Sequence, residues 1–246
     1  MKKLIQISTR DGIAPAGLFT PVDGRPVRAG VLFFMDAMGP RPSMDEMAQR
    51  LADDGYLVLL PDLFYRFGEY GPYTGSAFAH ETSRNQLLKM MGETTVEMTT
   101  SDTEAFLQVF EREGVAPPLG VVGYCMSGRR ALTVAAKFPD RFAAAASFHG
   151  AALASDTADS PHLLASEIKA RVYVGTASDD GSFPPEQSTR FADAFRRAGA
   201  DFALESYVGM QHGWTVPDRD GVYDEAGAER HWRRLLQLFG ETLGRS

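Results

Sequence analysis

The stretch Val121-Val122-Gly123-Tyr124-Cys125-Met126-Ser127-Gly128 runs a hydrophobic strand straight into a helical pattern, with the single cysteine of the chain at the junction. Gly123 and Ser127 stand two residues to either side of it. A side chain carried on a sharp strand-to-helix bend needs small neighbours, because the bend otherwise clashes with itself. Gly128 eases the approach of the helix that follows. The bend lifts the sulfur to the end of the sheet, above a helix N-terminus. The free N–H groups and positive dipole end there lower a thiol pKa and can hold an oxyanion. An isolated cysteine is more often a small inert hydrophobe. Its place in this strand–bend–helix setting favours a nucleophile instead.

Working outward, short Val/Leu/Phe-rich runs at 30–35, 56–60, 119–123, 142–148, 171–174 and 202–208 read as strands. Between them lie helical patterns. Met44, Met47, Ala48 and Leu51 follow a capping-box spacing, Ser43 to Glu46. Phe106, Val109 and Phe110 follow a second one, Ser101 to Glu104. Residues 129–137 are helical. Phe191, Ala194, Phe195 and Ala198 form an apolar helical face, as do Trp232, Leu235, Leu236 and Phe239. Residues 62–80 look irregular. Strands alternating with helices predict an α/β fold with a mostly parallel central sheet and helices on both faces. No repeat or linker divides the chain, so one domain is expected over 1–246.

The chain has 246 residues, a net charge of −7, 44% hydrophobic and 23% charged residues. These proportions suit a globular protein and exclude a disordered or collagenous one. An acidic balance argues against nucleic acid as a partner. One cysteine gives no internal disulfide, and five scattered histidines show no metal-ligand spacing, so neither metal nor cofactor is expected. Met1-Lys2-Lys3-Leu4-Ile5 is followed by polar residues rather than an apolar run, and no stretch is long enough to span a membrane. A cytoplasmic protein without membrane association is expected; the oligomeric state is not legible.

A thiol nucleophile needs a base, and the base an orienting acid. The run 123–128 resembles the nucleophile elbow of α/β-hydrolases, and that resemblance implies the chain order nucleophile, acid, histidine. His80 precedes Cys125. His149 ends the next strand and could face the site, but it precedes any acid loop. His162 lies in a polar loop, and His231 falls among Glu229, Arg230 and Arg233, on what reads as a solvated helix face. His212 follows the last strand in a glycine-flanked loop, Val208-Gly209-Met210-Gln211-His212-Gly213-Trp214. The acid should follow the strand before, where Asp179 and Asp180 compete. Asp180, four residues ahead of Pro184, is the preferred one.

With these residues in place, the chain resembles the dienelactone hydrolase family of α/β-hydrolases. The resemblance spans nearly the whole chain. It rests on Gly123-Tyr124-Cys125-Met126-Ser127-Gly128, Asp180-Gly181-Ser182-Phe183-Pro184, His212-Gly213-Trp214, Gly55-Tyr56-Leu57-Val58 and Pro61-Asp62-Leu63-Phe64-Tyr65-Arg66. It implies the α/β-hydrolase fold and a triad of Cys125, His212 and Asp180. It also implies an oxyanion hole from the amides of Ala37 and Met126, and an acid, Asp36, that holds the thiol proton in the resting enzyme. Asp36 stands where relatives often carry the longer Glu. The family arginines that bind a substrate carboxylate have no clear equivalent: none follows His212 before Arg219, and Arg84 lies where another could fall.

Phe64, Tyr65, Phe67, Tyr70, Tyr73 and Phe78 crowd into seventeen residues, against 11% aromatic overall. Phe64, Tyr65, Tyr70, Tyr73, Arg84 and Trp214 are therefore the candidates for a substrate pocket. The expected activity is hydrolysis of a small-molecule carboxylic ester or lactone through an acyl-thioester. The alternative is a non-enzymatic binder or sensor of a small ligand on the same fold.

Overall fold

The computed structural model describes residues 1–243. Its eight strands are β1 (Lys2–Thr9), β2 (Gly12–Phe19), β3 (Ala29–Phe34), β4 (Tyr56–Pro61), β5 (Leu119–Tyr124), β6 (Phe142–Phe148), β7 (Arg171–Asp179) and β8 (Phe202–Gln211). The helices are α1 (Pro42–Asp53), α2 (Glu81–Glu93), α3 (Val96–Arg112), α4 (Gly128–Lys137), α5 (Pro185–Ala198) and α6 (Glu225–Thr242). The strands form one sheet in the order β1-β2-β4-β3-β5-β6-β7-β8. β1 and β2 make an antiparallel hairpin, β2 pairs antiparallel with β4, and every pair from β4 to β8 is parallel. This is the mostly parallel sheet that the strand–helix alternation predicts, in the α/β-hydrolase architecture that the family resemblance implies.

Two strand glycines show how both faces are covered. Val31 of β3 lies opposite Gly120 of β5, so these residues point to one face and Gly30 points to the other. A Cβ at Gly30 would come within 2.5 Å of the Phe110 ring of α3, and one at Gly120 within 2.8 Å of the Phe239 ring of α6. Each glycine lets a helix press an aromatic ring onto the backbone, so α3 and α6 cover opposite faces. α1 joins α6 through Arg50, which stacks on Trp232 and pairs with Glu229. α4 joins α3 through Arg130, whose Nε donates to Thr99. The central strands β3, β4 and β5 are buried at every position, as a sheet covered on both faces requires.

Both capping boxes are corrected. α1 starts at Pro42, a residue suited to the first helical position, so Ser43 lies inside the helix and Arg41 takes the cap position. α3 starts at Val96, where Thr95 Oγ1 accepts from the Met98 amide at 3.1 Å, and Ser101 falls within the helix. His231 is also corrected. It is fully buried, with Nδ1–H donating to Ala228 O at 3.1 Å and Nε2 accepting from the Tyr124 hydroxyl at 2.9 Å. Among the described residues no helix is long and apolar enough to cross a membrane.

After β3 the chain crosses to β4 on one side, and later returns to place β5 on the other. A crevice opens at such a reversal, beyond the carboxyl ends of the strands. Ala37 emerges there from β3 and Cys125 from β5.

Candidate active site

Cys125 directly follows β5 with φ of 54°, in the left-handed region that side chains other than glycine rarely occupy. Such a conformation costs about 1–3 kcal/mol and persists only where its surroundings impose it. Here they do so from both sides. The Cys125 amide donates to His149 Nδ1 at 3.1 Å, and the Cys125 carbonyl accepts from the Ala151 amide at 3.2 Å. The small neighbours are obligatory. A Cβ at Gly123 would overlap the Ser127 carbonyl, and one at Gly128 would overlap Ser147 Oγ and lie 2.6 Å from Gly150 Cα. Gly150 is confined in turn by the same Ser147 hydroxyl. The thiol itself is half-buried.

His212 lies in the loop after β8. Its Nδ1–H donates to Asp180 Oδ2 at 2.8 Å, while Asp180 Oδ1 accepts the Ser182 amide at 2.8 Å. Asp180 is buried, whereas Asp179 is exposed at the end of β7. The two adjacent aspartates thus point apart, and Asp180 is the one that orients His212. With Nδ1 so engaged, Nε2 is the ring nitrogen left free, and Cys125 is a near enough neighbour to act on the ring. Burial works against a charge on His212, but its neighbours Cys125 and Asp180 outweigh it and push His212 up to about 10. The arrangement thus favours a protonated imidazole beside Cys125.

Ala37 lies in the turn after β3. The Met126 amide belongs to the first turn after the bend, where N–H groups lack intrahelical acceptors. Asp36 is differently placed from expectation. Arg41 grips both of its oxygens, at 2.7 and 2.9 Å, and the Met38 amide donates to Oδ1 at 2.9 Å. The far side of Arg41 is clamped by Asp218, at 2.7 and 2.9 Å. The hydrogen bonds of Asp36 go to these groups, and Cys125 is not among its partners. Burial opposes the charge on Arg41, but the two carboxylates raise its pKa further and keep it cationic.

The pocket candidates separate. Tyr70 and Tyr73 line a cavity of about 700 Å³ together with Met38, Leu60 and Asp62. Tyr70 donates to Asp62 at 2.5 Å, and burial raises the Asp62 carboxyl despite that bond. Phe64 is instead core, fully buried. Tyr65 turns to Thr9 and Asp102, at 2.7 and 3.0 Å. Arg84 is exposed on α2. Trp214 is buried between His149 and Tyr207 rather than on an open wall. Among the described residues no group of three or more His, Cys, Asp or Glu side chains is arranged to hold a metal ion.

Sequence reasoning gives no role to Arg41, Asp218 or Thr215. Nothing in their spacing marks them, because each reaches the site through a tertiary contact. His149 has a signal, its place at the end of the strand after the elbow helix, but the triad order passes over it.

Comparison with known proteins agrees with the fold. A protein of Salmonella typhi, named provisionally as a carboxymethylenebutenolidase, is 26% identical over 219 residues, covering 87% of this chain and 78% of its own. A Klebsiella pneumoniae structure, described provisionally as a dienelactone hydrolase, superposes with a TM-score of 0.84 at 22% identity, covering 98% of each chain. A dienelactone hydrolase-like promiscuous phosphotriesterase from metagenomic libraries superposes with a TM-score of 0.76 at 22% identity, covering 99% of each. The profile of the Dienelactone hydrolase family matches residues 15–243, and the chain belongs to that family of α/β-hydrolases.

Proposed function

We propose that the chain hydrolyses carboxylic esters or lactones through Cys125, His212 and Asp180, by way of an acyl-thioester. The observation that carries this reading is the 2.8 Å bond from His212 Nδ1 to Asp180, which leaves the other ring nitrogen free to serve a sulfur held on a left-handed bend. In the first half-reaction the thiolate attacks the carbonyl carbon, the C–S bond forms, and the carbonyl electron pair moves to oxygen. The amides of Ala37 and Met126 receive that oxyanion; a donor of this kind is typically worth about 3–4 kcal/mol in the transition state. Collapse expels the alkoxide, which takes the proton of the His212 imidazolium. Neutral His212 then removes a proton from water as the oxygen attacks the thioester. The second collapse releases the acid and restores the thiolate. The cavity beside Met38, walled by Tyr70 and Tyr73, would receive the body of the substrate.

A panel of p-nitrophenyl esters and lactones, varied in acyl length and charge, tests the reading on wild type and Cys125→Ala. The expected result is turnover by wild type and none above the blank by the variant, with unchanged circular dichroism. Equal hydrolysis by both would remove Cys125 from the reaction.

A further inference from the structure

His149 lies beneath the elbow and is used by neither the triad nor the oxyanion donors. It is almost wholly buried and directly follows β6 with φ of 39°, so two residues in the left-handed region, Cys125 and His149, meet through the bond from the Cys125 amide. The Cys125 amide can only donate, so His149 Nδ1 must accept, and the ring is neutral with its proton on Nε2. That proton is donated to Thr215 Oγ1 at 2.8 Å. Thr215 stands three residues after His212 in the same loop. The ring is wedged against His212 and Trp214, with centroids 5.1 and 5.3 Å away, and its own amide is anchored to Gly175 O of β7 at 2.9 Å.

We propose that His149 is a positioning residue: its imidazole holds the backbone of Cys125 and ties it, through Thr215, to the loop that carries His212. Building on the proposed Cys125 chemistry, this makes the separation of nucleophile and base depend on one bridging ring. Burial first, and then the charges of His212 and Arg219, keep His149 from protonating, which preserves Nδ1 as an acceptor. The bridge explains why a non-glycine residue can remain at φ of 54° without a side-chain partner of its own on the backbone.

Three variants of the full chain test it: His149→Asn, His149→Gln and His149→Ala. Asn places a carbonyl oxygen near the position of Nδ1; Gln fills more of the ring volume but moves its oxygen outward. For p-nitrophenyl acetate, Gln and Ala should lower kcat by about 10²-fold with KM within about twofold, and Asn, which restores the acceptor for the Cys125 amide but not the reach to Thr215, should recover part of the loss. A purely space-filling role predicts the opposite order, with Gln at or above Asn, and that order overturns the proposal, as does wild-type kcat in all three. The alkylation rate of Cys125 by iodoacetamide should rank the variants in the same way without any ester. If wild type turns over no ester, the hydrolase reading fails, and the alkylation ranking alone decides the role of His149: Asn above Gln upholds it and equal rates refute it. Should His149→Ala not fold, the Asn-to-Gln comparison still decides.

Discussion

Arg41 holds both carboxylate oxygens of Asp36 in a buried fork, and both oxygens of Asp218 on its other side. The acid that the family resemblance would assign to the resting thiol is therefore committed to a cation. Asp36→Asn should cost about 2–4 kcal/mol in urea unfolding, less than a fully stranded buried charge because Asp218 still faces Arg41. The alkylation rate of Cys125 should stay within about twofold, since the hydrogen bonds of Asp36 go to Arg41 and the Met38 amide. A tenfold change in that rate with unchanged stability would return Asp36 to the thiol.

Asp180 and Asp179 make a matched pair of tests. Asp180→Asn keeps the shape but weakens the grip on His212 Nδ1–H, and should lower kcat by about 10²-fold or more. Asp179→Asn, at an exposed strand end, should leave kcat within about twofold. Steady-state kinetics on one activated ester are sufficient; a reversed ranking would exchange the two roles.

Acid should unfold the protein partly through its buried histidines. Burial chiefly lowers His231 to about 3, against an ordinary value of 6.5. Between those limits the unfolded chain binds a proton that the native chain refuses, so stability is present above pH 6.5 and falls as pH drops toward 3. The slope is about 1.4 kcal/mol per pH unit for each such group. His231→Phe strands the Tyr124 hydroxyl and should lower stability at pH 7 by about 1–3 kcal/mol. It should also flatten the acid limb by about one proton. An unchanged slope in urea titrations at pH 4, 5 and 6 would mean that His231 charges freely in the native state.

Gly123→Ala should be among the most damaging single-methyl changes, because its Cβ meets a backbone carbonyl that no rotamer can move. Overpacking usually costs about 1–3 kcal/mol, and a fixed backbone partner puts this site at or above the upper end. Gly181, with open space around it, should accept alanine within about 0.5 kcal/mol. Thermal or urea unfolding of the two variants compares them directly.

Much of this layout is legible in the sequence, and the exceptions have physical causes. The run 121–128 announces strand, bend and helix because the bend itself restricts residue types. The β1–β2 hairpin goes unseen, since β1 is mostly exposed and β2 carries Pro15 with Gly12 and Gly17, which dilute any strand signal. α2 buries only Leu87 and Met90, too few to mark a face. His231 sits among charged neighbours in sequence, yet its own side of α6 faces Tyr124 and Phe148. The Arg41 clamp joins residues 177 positions apart, beyond any local pattern.

Gly128, Ser147 and Gly150 occupy one another's space behind the elbow, the serine hydroxyl filling the place of a methyl at either glycine. Mutational tolerance at these sites is consequently epistatic. Removing the hydroxyl with Ser147→Ala relieves Gly150 of its closest obstacle and leaves the tip of the buried Leu153 side chain at 3.0 Å, but does not open Gly128, which still abuts the Gly150 Cα at 2.6 Å. A directed-evolution library that varies one of these codons at a time would miss that route.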